Sequence, residues 1–173
     1  MNNLTNVMNF LSNRNTRNTD LELLEELKSG KDTFFDTDKL TESLINDYRK
    51  YGKLIIAYDF DDTVFPSKPD YHCKNVVKLL QLCSRLSCTE MVCYTARSTE
   101  EMIDEVKKEL NRLNIRYDAI NDNVPRIKAE IEITCPSKVM FGVFLDNRAG
   151  LESAYKALVN FLDWLFDQNK MST

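Results

Sequence analysis

From Lys53 to the C-terminus, short apolar runs alternate with amphipathic segments about 12 to 18 residues long, the pattern of repeated strand and helix units. Leu54 to Tyr58 predicts a strand, and Lys74 to Ser87 a helix that buries Val76, Leu79, Leu80, Cys83 and Leu86. Glu90 to Tyr94 is the second strand. Ser98-Thr99-Glu100-Glu101 is a capping-box arrangement, so a helix is expected from Thr99, with Met102, Ile103, Val106, Leu110 and Leu113 on one face. Next come a short strand near Arg116 to Ile120 and a short helix opened by Pro125 and running to about Ile133. Val139 to Leu145 is nearly all apolar, as a central parallel strand is. The final helix spans Leu151 to about Gln168 and docks its stripe of Leu151, Ala154, Tyr155, Leu158, Leu162 and Leu165 on the sheet. The expected fold is a three-layer, Rossmann-like α/β architecture with a parallel sheet and right-handed crossovers, without an internal repeat.

Ahead of this alternation the pattern is helical only. Leu23, Leu24 and Leu27, then Leu40, Leu44, Ile45 and Tyr48, predict two short helices over 20–28 and 38–51, joined near Gly30. Residues 1–18 are rich in asparagine and read as a polar lead-in. The expected division is a helical N-terminal extension over 1–50 and an α/β domain over 51–173.

Composition narrows the class. With 43% apolar and 29% charged residues among 173, and only four Gly and four Pro, the chain has the makeup of a globular domain and no membrane-spanning run. Its first residues, MNNLTNVMNF, lack the charged and apolar regions of a secretory signal, so cytoplasm is the expected location. Five cysteines without a CxxC pair suit free thiols. Residues 1–50 carry seven Lys/Arg against nine Asp/Glu, and 51–173 carry 16 against 18, so no basic block marks a nucleic-acid footprint.

In a parallel sheet of this kind ligands bind beyond the carboxyl ends of the strands, and three of those ends are polar. The first strand runs into Asp59-Phe60-Asp61-Asp62-Thr63, the second into Thr95-Ala96-Arg97, and the late strand into Asp146-Asn147-Arg148, with Lys138 at its beginning. Carboxylates packed closely repel one another, and a divalent metal relieves the repulsion; Mg²⁺ suits a few carboxylate oxygens, a carbonyl and a phosphate oxygen. Asp59 can attack phosphorus to form an aspartyl-phosphate, and Asp61 can protonate the leaving oxygen and then activate water. Thr95 and Lys138 can hold the oxygens of the transferring group.

These segments resemble the motifs of the haloacid dehalogenase superfamily. LIIAYDFDDTVF looks like its first motif, DxDx(T/V) after an apolar strand; MVCYTARS is similar to the second; SKVMFGVFLDNRAG resembles the lysine and the strand-terminal acidic motif, eight residues apart. The resemblance covers about residues 52–168 and is nearest to small phage and bacterial members whose last motif reads DDRAG, which would place the protein in a host or bacterial cytoplasm. It implies an Mg²⁺-dependent phosphatase with Asp59 as nucleophile and metal ligand. Asp61 is implied as acid/base with its carbonyl on the metal, Thr95 and Lys138 as phosphate ligands, and Asp146 as a metal ligand. Asn147 stands where the family has a second acid; its carbonyl oxygen can hold a metal-bound water but brings no charge. Lys128 is the alternative to Lys138.

Other residues have blander readings beside the functional one. Asp62 is expected to cap its turn. Arg97 and Arg148 either contact substrate phosphate or pair with nearby carboxylates. His72 and Cys73 lack partners at ligand spacing, and Cys83, Cys88 and Cys93 are read as core residues. Phe161, Trp164 and Phe166 widen the apolar face of the last helix, which implies deeper burial or a homodimer surface.

Neither gap between motifs has room for a cap domain, so the site is expected to be open unless residues 20–51 or a partner subunit shield it. A nucleotide or other small phosphomonoester is the expected substrate. The alternatives are a polynucleotide end phosphatase, against which the missing basic face weighs, and a catalytically silent protein that keeps the fold as a scaffold.

Overall fold

A computed structural model describes residues 36–68, 73–130 and 139–171. The helix expected at 20–28, the lead-in over 1–18, His72, Cys135 and Lys138 lie outside the described residues.

The elements are α1 (Thr37–Tyr51), β1 (Leu54–Asp59), α2 (Lys74–Ser84), β2 (Thr89–Tyr94), α3 (Glu100–Arg112), β3 (Ala119–Ile120), α4 (Pro125–Glu130), β4 (Val143–Leu145) and α5 (Leu151–Met171). The four strands form one all-parallel sheet in the order β3-β2-β1-β4, with helices on both faces, a Rossmann-like three-layer fold. Because β1 is central and covered on both sides, it is apolar almost throughout. Leu54, Ile56 and Tyr58 enter the larger core with α1, α2, α3 and α5, whereas Ile55 and Ala57 meet Val92, Val124 and Ile127 on the α4 face. No described helix is long and apolar enough to cross a membrane.

The expected extension over 1–50 divides differently in the structure. Its second helix, α1, belongs to the compact unit that begins at Thr37. Leu44 is fully buried in the main core, and Tyr48 packs edge-on against Phe161 and Trp164 of α5, at 5.7 and 6.1 Å. Arg49 lies over the Trp164 ring at 5.2 Å. The wide apolar face of the last helix is thus covered from within the chain. Gly52, at φ +67°, reverses the backbone between α1 and β1, and its N–H donates to the Tyr48 carbonyl at 2.8 Å.

Two other boundaries move for identifiable reasons. Thr99, not Ser98, caps α3: its hydroxyl accepts the Met102 N–H at 3.3 Å. Val139 to Gly142 approaches the sheet as a loop rather than a strand, because Asn123 takes the Met140 N–H on its side-chain oxygen at 2.7 Å. Gly142 then runs so close to β1 that a Cβ there would sit 2.8 Å from Leu54 Cδ1. Cys83 and Cys93 are buried in the core, as read from the sequence.

Candidate active site

The carboxyl ends of β1, β2 and β4 open into a cleft of about 630 Å³ lined by Asp59, Asp61, Thr95, Asn121, Asp146, Asn147 and Arg148, among others. Parallel register places them side by side: Asp59 pairs with Tyr94, and Tyr58 with Leu145, so the residues that follow β2 and β4 emerge beside the end of β1.

Beyond Asp59 the chain makes a tight loop. Val64 and Phe65 both donate N–H to the Phe60 carbonyl, at 3.0 and 2.9 Å, and Asp62 donates to the Phe65 carbonyl at 2.8 Å. Asp62 sits at φ +62°, left-handed backbone that a short polar side chain tolerates. Its carboxylate accepts the Ser67 N–H at 2.7 Å, which holds its pKa below the ordinary value. This is the turn-capping role read for it, although the residue also borders the cleft.

Thr63 ties this loop to the end of β4. Fully buried, its hydroxyl donates to Asp59 Oδ2 at 3.3 Å and accepts the backbone N–H of Asn147 at 3.0 Å. The spacing between Asp59 and the Asp146-Asn147 turn is set through one side chain. In the sequence Thr63 is visible only as the last position of DxDx(T/V); its role as a joint depends on Asn147, 84 residues on.

Asp59 is pushed up to about 6 from an ordinary 3.8. Burial is the largest cause and the negative charge of Asp146 the next; hydrogen bonds from the Phe60 backbone and from Thr63 pull the other way, and Asp61 adds a smaller upward push. Asp146 is fixed in its own turn, where its Oδ1 accepts the Arg148 N–H at 2.7 Å. Asn147 and Arg148 are exposed and line the cleft.

On the β2 side Thr95 is buried and its hydroxyl accepts the Arg97 N–H at 3.2 Å, leaving its own proton to donate. Asn121, at the end of β3, organises this loop: its side-chain oxygen takes the Thr95 N–H at 2.7 Å and its amide donates to the Arg97 carbonyl at 3.3 Å. Asn121 is also missing from the sequence reading. Its left-handed φ of +51° after a strand is the kind of turn that asparagine accepts, and the Asn-Asp-Asn run was the available hint.

Arg97 does not face the cleft. Its guanidinium grips Asp61, Nη2 to Oδ1 at 2.8 Å and Nε to Oδ2 at 3.2 Å, reaches Glu105 at 3.2 Å, and lies over the Phe60 ring at 4.9 Å. Of the two roles read for it, the structure shows the carboxylate pair. Lys128 forms an ion pair with Asp122 and is not among the side chains lining the cleft.

Among the described residues, no three His, Cys, Asp or Glu side chains converge as a metal-binding group. Asp59 and Asp146 line the cleft together and the charge of Asp146 acts on Asp59, while Asp61 is held by Arg97. A cation here would draw its remaining ligands from carbonyls, amide oxygens and water, the hard oxygen set that Mg²⁺ accepts.

No protein-family model and no curated protein matches the chain. A solved structure described as a conserved protein from Bacteroides thetaiotaomicron matches 56% of this chain and 77% of its own length, at 20% identity and a TM-score of 0.44.

Proposed function

We propose that the protein is a metal-dependent phosphohydrolase of the haloacid dehalogenase type, acting on phosphomonoesters through an aspartyl-phosphate at Asp59. The observation that carries this reading is the pair of carboxylates, Asp59 and Asp146, that line one open cleft from adjacent strand ends, with Asp59 raised to about 6 by burial and by its neighbour's charge. Such a pair calls for a positive partner, and this donor set fits a divalent ion. Asp59, Asp146 and the Asp61 carbonyl would hold it, with Asn147 supplying an amide oxygen. When bound, Mg²⁺ would offset the charge that builds up on the phosphoryl oxygens.

The chain's own residues then have distinct tasks. Asp59 Oδ attacks phosphorus in line, the bond to the leaving oxygen breaks, and that oxygen takes a proton from Asp61. A water that gives its proton to Asp61 attacks the phosphorus of the acyl phosphate, releasing inorganic phosphate and restoring Asp59. The Thr95 hydroxyl donates to a phosphoryl oxygen, and Lys138 is the expected second phosphate ligand. Arg97 positions Asp61 through both carboxylate oxygens, each of which keeps a second lone pair for the proton in transfer. Between Thr63 and Thr95 the described elements are only α2 and β2, which fits a cleft open to its substrate.

The test is phosphate release from p-nitrophenyl phosphate with Mg²⁺, comparing the native protein with Asp59→Asn. Turnover that depends on Asp59 supports the reading; a pure protein that hydrolyses no phosphomonoester defeats it.

A further inference from the structure

Beside Asp59, on the α4 face of the sheet, lies an aromatic wall that the phosphoryl chemistry does not use. Tyr94 is the register partner of Asp59, so both side chains leave the sheet on the same face from adjacent strands, whose backbones lie about 4.8 Å apart. Phe144 is the register partner of Ala57, on the other side of β1. The two rings belong to strands that do not neighbour each other, yet their centroids are 6.0 Å apart at 90°. They meet across β1 because the position beneath them is Ala57, whose single methyl is fully buried. A larger residue there would hold the rings apart.

Both rings line the cleft together with Asp59 and Val139, and Tyr94 stays 46% exposed although it ends a strand whose three preceding residues are fully buried. The exposed ring of Tyr94, backed edge-on by Phe144, offers an aromatic face to a planar group beside Asp59.

Resting on the phosphohydrolase reading, we infer that Tyr94, backed by Phe144, is the specificity-determining surface of the cleft and selects phosphomonoesters whose leaving group carries a planar aromatic ring, a nucleobase in a nucleoside monophosphate. The ring of the leaving group stacks on the exposed part of Tyr94 while the phosphate lies over Asp59. Stacking of a base on an aromatic side chain is strong enough to change affinity by about 10-fold or more.

The experiment compares KM for adenosine 5′-monophosphate and ribose 5-phosphate, with Mg²⁺, in the native protein, Tyr94→Ala and Tyr94→Phe, each checked for an unchanged thermal melt. The expected result is a KM about 10-fold lower for the nucleotide in the native protein, kept by Tyr94→Phe and reduced to near parity in Tyr94→Ala. Equal KM values in the native protein, or a nucleotide preference that survives Tyr94→Ala, overturn the inference while leaving the phosphohydrolase reading intact. If neither compound releases phosphate, the phosphohydrolase reading is judged on p-nitrophenyl phosphate, and calorimetric binding of the same two compounds decides the inference: nucleotide preference lost in Tyr94→Ala upholds it, equal or absent binding overturns it. Sedimentation showing a dimer that Tyr94→Ala dissociates would also overturn it, since the wall would then be covered by a second copy of the chain.

Discussion

Arg97 holds both carboxylate oxygens of Asp61, at 2.8 and 3.2 Å, and so fixes the orientation of the acid/base candidate, which lines the cleft together with Asp59 and Asp146. If Arg97 acts through Asp61, removing it disturbs proton transfer rather than substrate binding. Arg97→Ala should lower kcat roughly 10- to 100-fold with little change in KM. A large rise in KM at constant kcat would instead mean that the guanidinium binds phosphate directly.

Thr63 is the joint between two strand ends. Thr63→Val keeps the shape of the side chain but takes the acceptor from the part-buried Asn147 N–H, a loss of about 0.5–1.5 kcal/mol in unfolding free energy. Thr63→Ser, which keeps the hydroxyl, should recover most of that loss and of the activity. Denaturant unfolding and steady-state kinetics on both variants check this; equal stability of Thr63→Val and the native protein would show that the joint contributes nothing.

The sequence carried the strand order of the chemistry well, because buried parallel strands are apolar throughout and their polar ends stand out: Asp59, Thr95 and Asp146 do meet in one cleft. What it did not carry is whatever depends on partners distant in the chain. A local choice escapes it too: Ser98 and Thr99 are chemically alike as caps for α3, and only backbone geometry separates them. Val139 to Gly142 is apolar enough for a strand, yet Asn123 diverts the Met140 N–H. Likewise, nothing in the spacing of Arg97 showed that it would pair with Asp61, 36 residues earlier, or that Leu44 would belong to the α/β core.

The elevated Asp59 has a stability consequence whose sign is fixed. With a folded-state value of about 6 against an ordinary 3.8, the folded protein keeps a proton that the unfolded chain has released between these values. Stability of the metal-free protein therefore falls as pH rises through this window, and the loss is complete above it. Allowing for solvent contact at the cleft, the size is about 1–2 kcal/mol. Asp59→Asn should flatten the dependence and be the more stable protein at pH 8 by that amount. Denaturant unfolding in EDTA at pH 4.5 and pH 8 measures it; an unchanged pH slope in the variant would contradict the assignment.

Leu44 tests where the folded unit begins. Being fully buried under α5, it should cost about 2–4 kcal/mol when changed to alanine, as core leucines do. A helix that merely flanked the domain would lose well under 1 kcal/mol, and thermal or denaturant unfolding separates the two outcomes.

The most direct measurement is chemical trapping of the intermediate. Protein quenched during turnover of a phosphomonoester with Mg²⁺ and reduced with borohydride should yield homoserine at position 59, the product of an acyl phosphate on that carboxylate, and EDTA should prevent it. Reduction at no carboxylate while phosphate is being released, or turnover that persists in Asp59→Asn, would contradict Asp59 as the nucleophile.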